Sequence, residues 1–451
     1  MHRVTWVIEV IQYGMKHIFN NFKEVIFVEE MNKVYEVAII GTGNRGANRY
    51  GRLMKADPEK FKIVALCDLN PARLEHWGKE FNVPEENRFL DENEFFSKKR
   101  ADALVIATQD GDHYGHILKA FKAGYDILVE KPLTASRKEC EDILAAQKAS
   151  GKQAMVCHVL RYAPAFLKAA EIINSGAIGQ LVAINALERV EYWHQTHSYV
   201  RGNWRSSKET TPMILAKCCH DLDLLQYYAK SSCESISSIG ELTHFKAENA
   251  PQGAAKRCTE CKYMETCPAS AKRMYIDRWH AANTPTDTFP YTVLAIPPVT
   301  EEKLWNAIKT GPYGRCVYAC DNDVVDHEFT QMTFTNGVKA SLFMTAFTHT
   351  GGRRYNFHGT LGELILDEAE GDSLALKVFG KPVEMIDVKH GDDQGYSHGG
   401  GDYFIIQNFY KMLADQRVAE TSLTASIESH LMGIAAEESR IQQGKLLKVH
   451  K

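Results

Sequence analysis

The glycines of Gly41-Thr-Gly43-Asn-Arg-Gly46 constrain the fold of this chain more than any other feature. They follow the short apolar run Val37–Ile40 and precede an amphipathic stretch through Met54, so they close a buried strand and open a helix. There the first glycine permits a tight turn and the second lets the backbone approach a pyrophosphate. The third allows close helix–strand packing, and the helix N-terminus attracts the anion. The pattern alone is weak. Asp68 strengthens it by closing the next strand 22 positions after Gly46, where a carboxylate binds adenosine ribose hydroxyls. A carboxylate there repels a 2′-phosphate and favours NAD, while NADP stays open because Arg45 or Arg73 could offset the repulsion.

The alternation continues. Strands are expected at Lys62–Cys67, Asp102–Ala107, Tyr125–Val129 and Gln153–Cys157. Between them run helices opened by Asn70-Pro71, ended by Gly124 after His113, and set between Ser136 and Gly151. Repeated strand–helix units mean a doubly wound parallel sheet, a Rossmann domain over residues 34–157. Residues 158–451 read as a C-terminal α+β domain with a mainly antiparallel open sheet. Its strands are Leu181–Val190, Glu328–Phe334, Val338–Met344, Arg354–Phe357 and Glu363–Leu366, with Asn336-Gly337 as a hairpin turn. Helices at Asp402–Ala414 and Ser422–Gln443 close it. Residues 245–325 form an irregular excursion rich in Pro, Cys and Lys. Residues 1–33 are an N-terminal extension with an amphipathic helix over 4–19, which Glu9 and Lys16 make too short and too charged to span a bilayer.

Two domains suit a length of 451 residues. A net charge of -4 gives no reason to expect nucleic acid, and nothing points to a membrane. Eleven cysteines without a signal-peptide pattern are expected in a reducing cytoplasm.

Three further segments carry chemistry. Glu130-Lys131-Pro132 closes the apolar run Tyr125–Val129 and would set one lysine beside a bound dinucleotide; the bland reading is a salt-bridged strand end. A desolvated lysine with a lowered pKa can handle the proton of an alcohol that is losing hydride. Tyr192–Arg205 mixes aromatic faces with His194, His197, Arg201, Trp204 and Arg205, as a carbohydrate or acidic ligand would require, and Arg161 is expected in the same cleft. His398-Gly-Gly-Gly-Asp402 at a helix entry is a weaker candidate. Cys258, Cys261 and Cys267, with Cys320 or Cys316 downstream, could form a tetrahedral structural zinc site; free thiols and an iron–sulfur cluster are the alternatives, and Cys320 is taken as fourth ligand. Cys218 and Cys219 read as packing residues.

Val37–Gly46, Asp68, Ala107-Thr108 with His113, Gly124 through Val129-Glu-Lys-Pro132, and His220-Asp221-Leu-Asp223 together resemble the glucose-fructose oxidoreductase/inositol dehydrogenase (Gfo/Idh/MocA) family. The resemblance covers about residues 35–240 with specific motifs and the later sheet more loosely. It implies hydride exchange between a nicotinamide and a sugar or polyol carbon. Cofactor contacts are implied for Gly41, Gly43, Asn44, Arg45, Gly46, Asp68, Thr108, Gln109, His113, Glu130 and Lys131. It also implies catalysis by Lys131 and His220, with Asp221 on the substrate and association as a homodimer or homotetramer through the open sheet face. One departure matters: relatives place an aspartate four residues before the histidine, and here that residue is Ala216, with Lys217 as the candidate replacement. Capping of the following helix by His220 and Asp221 is the competing explanation. An NAD-dependent glycosidase using transient oxidation and elimination is the alternative enzyme, and a nonenzymatic sugar-nucleotide sensor the third reading.

Overall fold

The computed structural model describes residues 33–282, 287–371, 373–388 and 398–450. The expected helix over 4–19 lies outside them. Six strands form the first sheet: β1 (Tyr35–Ile40), β2 (Phe61–Cys67), β3 (Arg88–Phe89), β4 (Ala103–Ile106), β5 (Asp126–Val129) and β6 (Ala154–Val156). All pair in parallel, in the order β3-β2-β1-β4-β5-β6. These strands are buried on both faces and therefore read as apolar runs. Strand order reverses between β1 and β4, and the crevice beyond their carboxyl ends is where such sheets bind ligands. The helices start and stop as their sequence signals require. Asn70 caps α1 (Pro71–Glu80) by accepting from the Ala72 and Arg73 amides, and Gly151, at φ 66°, ends α3 (Arg137–Ser150). Between them, α2 (Asp110–Lys122) follows β4.

The second sheet has nine strands: β7 (Leu181–Arg189), β8 (Cys233–Glu241), β9 (His327–Phe334), β10 (Lys339–Thr345), β11 (Gly352–Gly359), β12 (Gly362–Asp367), β13 (Ser373–Val378), β14 (Glu384–Asp387) and β15 (Leu447–Lys448). Their order is β14-β13-β12-β11-β7-β10-β9-β8-β15. The β9–β10 hairpin turns at Gly337, where φ is 92°. Among the described strands of this sheet, only the central β7–β10 pair is parallel. Alternate residues of β7, β9 and β11 face the helices α4 (Pro164–Asn174), α5 (Cys219–Ala229) and α7 (Leu423–Ile441), and one apolar cluster joins this layer to the first sheet.

Two features go beyond the sequence reading. Helix α6 (Gly401–Asp415) packs back on the Rossmann sheet, burying Ile405, Ile406 and Phe409 against Val37, Ile39 and Phe61; each is worth about 1.5–3 kcal/mol of burial. The excursion is not irregular throughout. It carries a small core of Tyr275, Tyr291, Leu304, Ile308 and Tyr313, and Thr292 reaches the glycine turn, donating to Asn44 Oδ1 at 3.0 Å.

Candidate functional site

The glycine turn divides its labour as its geometry demands. Gly41 has φ 86°, and a Cβ there would lie 2.4 Å from the Ala107 carbonyl oxygen; a Cβ on Gly46 would lie 2.0 Å from the Gly41 carbonyl oxygen. Gly43 differs, since its Cβ would meet nothing closer than Arg73 Nη1 at 4.0 Å. Open space over that backbone, at the start of the helical segment Asn44–Gly51, fits a pyrophosphate. Asp68 accepts from the amide and hydroxyl of Thr42 at 2.7 and 2.9 Å, so its carboxylate is held at the turn, with Arg73 4.0 Å away.

Arg45 does not point at Asp68. It donates to Glu130 at 2.8 Å and to both carboxylate oxygens of Asp402 at 2.7 and 3.0 Å, while the Tyr50 hydroxyl bonds Glu130 at 2.6 Å. Burial, the largest influence, would raise Glu130 and Asp402, but Arg45 together with Lys131 and the Tyr50 hydroxyl at Glu130, and with His398 at Asp402, outweighs it and holds both carboxyls below their ordinary range. This network locks the turn, the end of β5 and the start of α6 together. His113 likewise bridges loops, donating to the Pro132 carbonyl at 2.7 Å, with its other nitrogen 3.2 Å from the Thr108 carbonyl. Thr108 bonds His116 at 3.0 Å, and Gln109 is exposed at the entry to α2.

Past β5, Lys131 Nζ donates to the carbonyl of Ala216 at 3.0 Å. Position 216 thus contributes a backbone oxygen rather than a side chain. His220 is 7% exposed, its Nδ1 is buried without a partner among the described residues, and its ring lies 6.0 Å from His158 and 6.1 Å from His398. Burial, then the charges of Lys131 and Arg353, push its pKa well below the ordinary histidine value, so it is neutral at pH 7. Lys217 pairs with Glu188 at 3.3 Å. Glu188 also holds Arg353 at 2.7 Å, its register partner across β7 and β11. Neither Glu188 nor Arg353 was singled out from sequence, although a carboxylate at an inward position of β7 is a readable signal.

Other residues expected at the site have partners of their own. Asp221 makes no capping bond to α5 and is fully buried, accepting from Arg353 at 2.9 Å and Tyr355 at 2.8 Å. Arg161 is buried in a two-pronged pair with Asp223 at 2.6 and 2.7 Å. His197 lies inside the excursion core, bonded to the Tyr275 hydroxyl at 2.9 Å and stacked on Tyr313, and burial pushes it down to about 3. Arg205 is held by Asp321 and Glu209 and lines a separate hollow with Arg257 and Arg315. His194 stays near the site, partly buried and lowered first by burial and then by Lys217. Trp204 turns its indole N–H to both Asp110 oxygens at 3.0 Å. Among the cysteines, Cys258, Cys261 and Cys267 line one cavity with Cys316, whereas the Cys320 thiol donates to the Cys316 carbonyl at 3.2 Å.

A glycine turn and acidic strand end at the switch point of a parallel sheet, beside a second sheet domain presenting lysine and histidine, define a two-domain dinucleotide-binding protein. The comparisons agree. Residues 35–158 match the "Oxidoreductase family, NAD-binding Rossmann fold" and residues 170–449 the "Oxidoreductase family, C-terminal alpha/beta domain", so the chain belongs to the Gfo/Idh/MocA oxidoreductase family. The Bacillus subtilis (strain 168) protein YteT is 22% identical over 406 residues, covering 86% of this chain and 90% of that protein. The 2,7-anhydro-N-acetylneuraminate hydratase of Mediterraneibacter gnavus is 26% identical over 208 residues, 46% of this chain and 53% of the hydratase, so that match spans about half its length. A levoglucosan dehydrogenase solved with NADH and levoglucosan superposes with a TM-score of 0.68 at 16% identity, covering 93% of this chain and 100% of that one, which shows the shared fold.

Proposed function

We propose that this protein is an NAD-dependent dehydrogenase moving hydride between the nicotinamide and a CH–OH carbon of a sugar, polyol or related hydroxy compound. The observation that carries the reading is Lys131, at the carboxyl end of β5, bonded to the Ala216 carbonyl just before α5, where the Lys131 charge helps lower the pKa of the buried His220. Bound NAD supplies the hydride acceptor. The open backbone at Gly43, the first amides of Asn44–Gly51 and the Asp68 carboxylate hold the dinucleotide, and the carboxylate supports NAD over NADP.

On the substrate side, His220 accepts the hydroxyl proton and Lys131, anchored on the Ala216 carbonyl, holds the oxygen. Lys217 contacts a neighbouring hydroxyl, and His194 and Trp204 offer ring faces to the C–H surface. Exposed apolar residues paired on the open sheet face, Ile239 and Phe329, support a homodimer or homotetramer. Unpaired cysteines throughout the chain support a reducing compartment, the cytoplasm, and no described helix is long and apolar enough to cross a membrane.

The test is incubation of purified protein with NAD and a panel of sugars and polyols, read as NADH absorbance. The hydratase relative favours a second reading, redox-neutral elimination or glycosidase chemistry, over half its own length. Product formation without net NADH would select that reading.

A further inference from the structure

Four thiols from separated stretches of the excursion converge on one cavity. Cys258, Cys261 and Cys267 come from successive turns. Cys316 is brought to them by the bridge between Arg257 and Arg315 and by its own amide, which donates to the Lys256 carbonyl at 2.9 Å. The rest of the wall is largely apolar, with Ala254 and Met264 among it.

Arg201 is the second observation. It is 1% exposed and also lines the cavity. Its donors go to the Arg315 and Ala269 carbonyls, both at 2.6 Å, to Met274 Sδ at 3.3 Å and to Cys258 Sγ at 3.4 Å. None of these acceptors carries a formal charge in the thiol form. A buried guanidinium left with neutral acceptors is costly, and thiolates facing it supply the missing negative charge.

The thiols stand further apart than around a single bound zinc. A single tetrahedral zinc at about 2.3 Å from each sulfur draws the sulfurs to within roughly 4 Å of one another. Among the described residues, no three of these four sulfurs lie within 4.8 Å of each other, and the cavity between the segments admits a water-sized body. A set that does converge so closely among the described residues, His158, Cys219 and His430, is no rival, because His430 already uses both ring nitrogens on the Leu133 amide and the Ser426 carbonyl at 2.8 Å each.

We propose that Cys258, Cys261, Cys267 and Cys316 ligate a [4Fe–4S] cluster that fastens the excursion to the segment carrying Arg201, Trp204 and His194. The full-length protein, purified anaerobically and incubated with ferrous iron and sulfide, is assayed for iron, zinc and acid-labile sulfide. The expected result is about four iron and four sulfide per chain. Cys261→Ala lowers bound iron by about tenfold or more, whereas Cys320→Ser, whose thiol faces the Cys316 carbonyl, keeps the full complement. Metal-free wild type, one zinc per chain in place of iron, or iron lost equally in Cys320→Ser overturns the proposal. The wild-type stoichiometry decides it whether or not the variants fold.

Discussion

Replacing Gly43 and Gly46 in turn by alanine separates the cofactor's space from the protein's own. At Gly46 the added methyl meets the Gly41 carbonyl oxygen at 2.0 Å, a backbone atom that cannot rotate away. Either the turn or the helix start must shift, at a cost of about 1–3 kcal/mol or more, so Gly46→Ala lowers the unfolding midpoint. At Gly43 the backbone is extended, φ -76° and ψ -156°, which any residue adopts, and the nearest atom to the new methyl is 4.0 Å away. Stability of Gly43→Ala therefore stays within about 0.5 kcal/mol of wild type. The same methyl occupies the space assigned to the pyrophosphate, so NAD binding weakens by at least about tenfold, about 1.4 kcal/mol. Chemical denaturation and NAD titration by calorimetry give the two numbers. Unchanged NAD affinity in a folded Gly43→Ala protein would refute the placement of the dinucleotide over this turn.

Asp402→Asn leaves Arg45 with Glu130 as its remaining carboxylate, so the loss is about 2–3 kcal/mol, below the roughly 3–5 kcal/mol of a buried pair broken outright; urea unfolding measures it. Stability should fall on acidification from pH 7.5 to 5.5. His158, His194, His197, His220 and His430 all have folded pKa values below the ordinary one, so below about pH 6.5 the unfolded chain binds protons that the folded chain refuses. Each imidazole costs up to about 1.4 kcal/mol per pH unit in that window, and Asp221 and Glu328, raised by burial, offset part of it by holding protons in the folded state. An equal or higher thermal midpoint at pH 5.5 contradicts this. Phe329, 48% exposed and stacked on Phe343 at 4.0 Å, tests the open sheet face: Phe329→Glu should reduce the mass measured by light scattering to that of a monomer, and an unchanged mass removes this face from the interface.

The sequence was most legible where function depends on local backbone. The turn at Gly41–Gly46, the carboxylate at Asp68 and the lysine at the end of β5 follow from strand and helix periodicity, and β9–β10 from Asn336-Gly337. It was least legible where a distant partner decides what a charged side chain does. Arg161 reads as a cleft residue until Asp223, on α5, takes its guanidinium. His220 and Asp221 are neighbours in sequence, yet Asp221 is taken by Arg353 and Tyr355 while the Nδ1 of His220 is left without a partner among the described residues. Cys316 and Cys320 are equivalent candidates on spacing, and only the bridge between Arg257 and Arg315 brings the first to the other thiols.

The central claim, hydride transfer to NAD with Lys131 and His220 managing the proton, is tested most directly by the rate of NADH formation on a sugar and polyol panel for wild type and Lys131→Met, with NAD affinity measured on both. NADH should form from at least one compound, and the variant should lose roughly 10²–10⁴-fold in kcat at unchanged NAD affinity. An undiminished rate in Lys131→Met, or turnover of a sugar with no NADH at any stage, would contradict it.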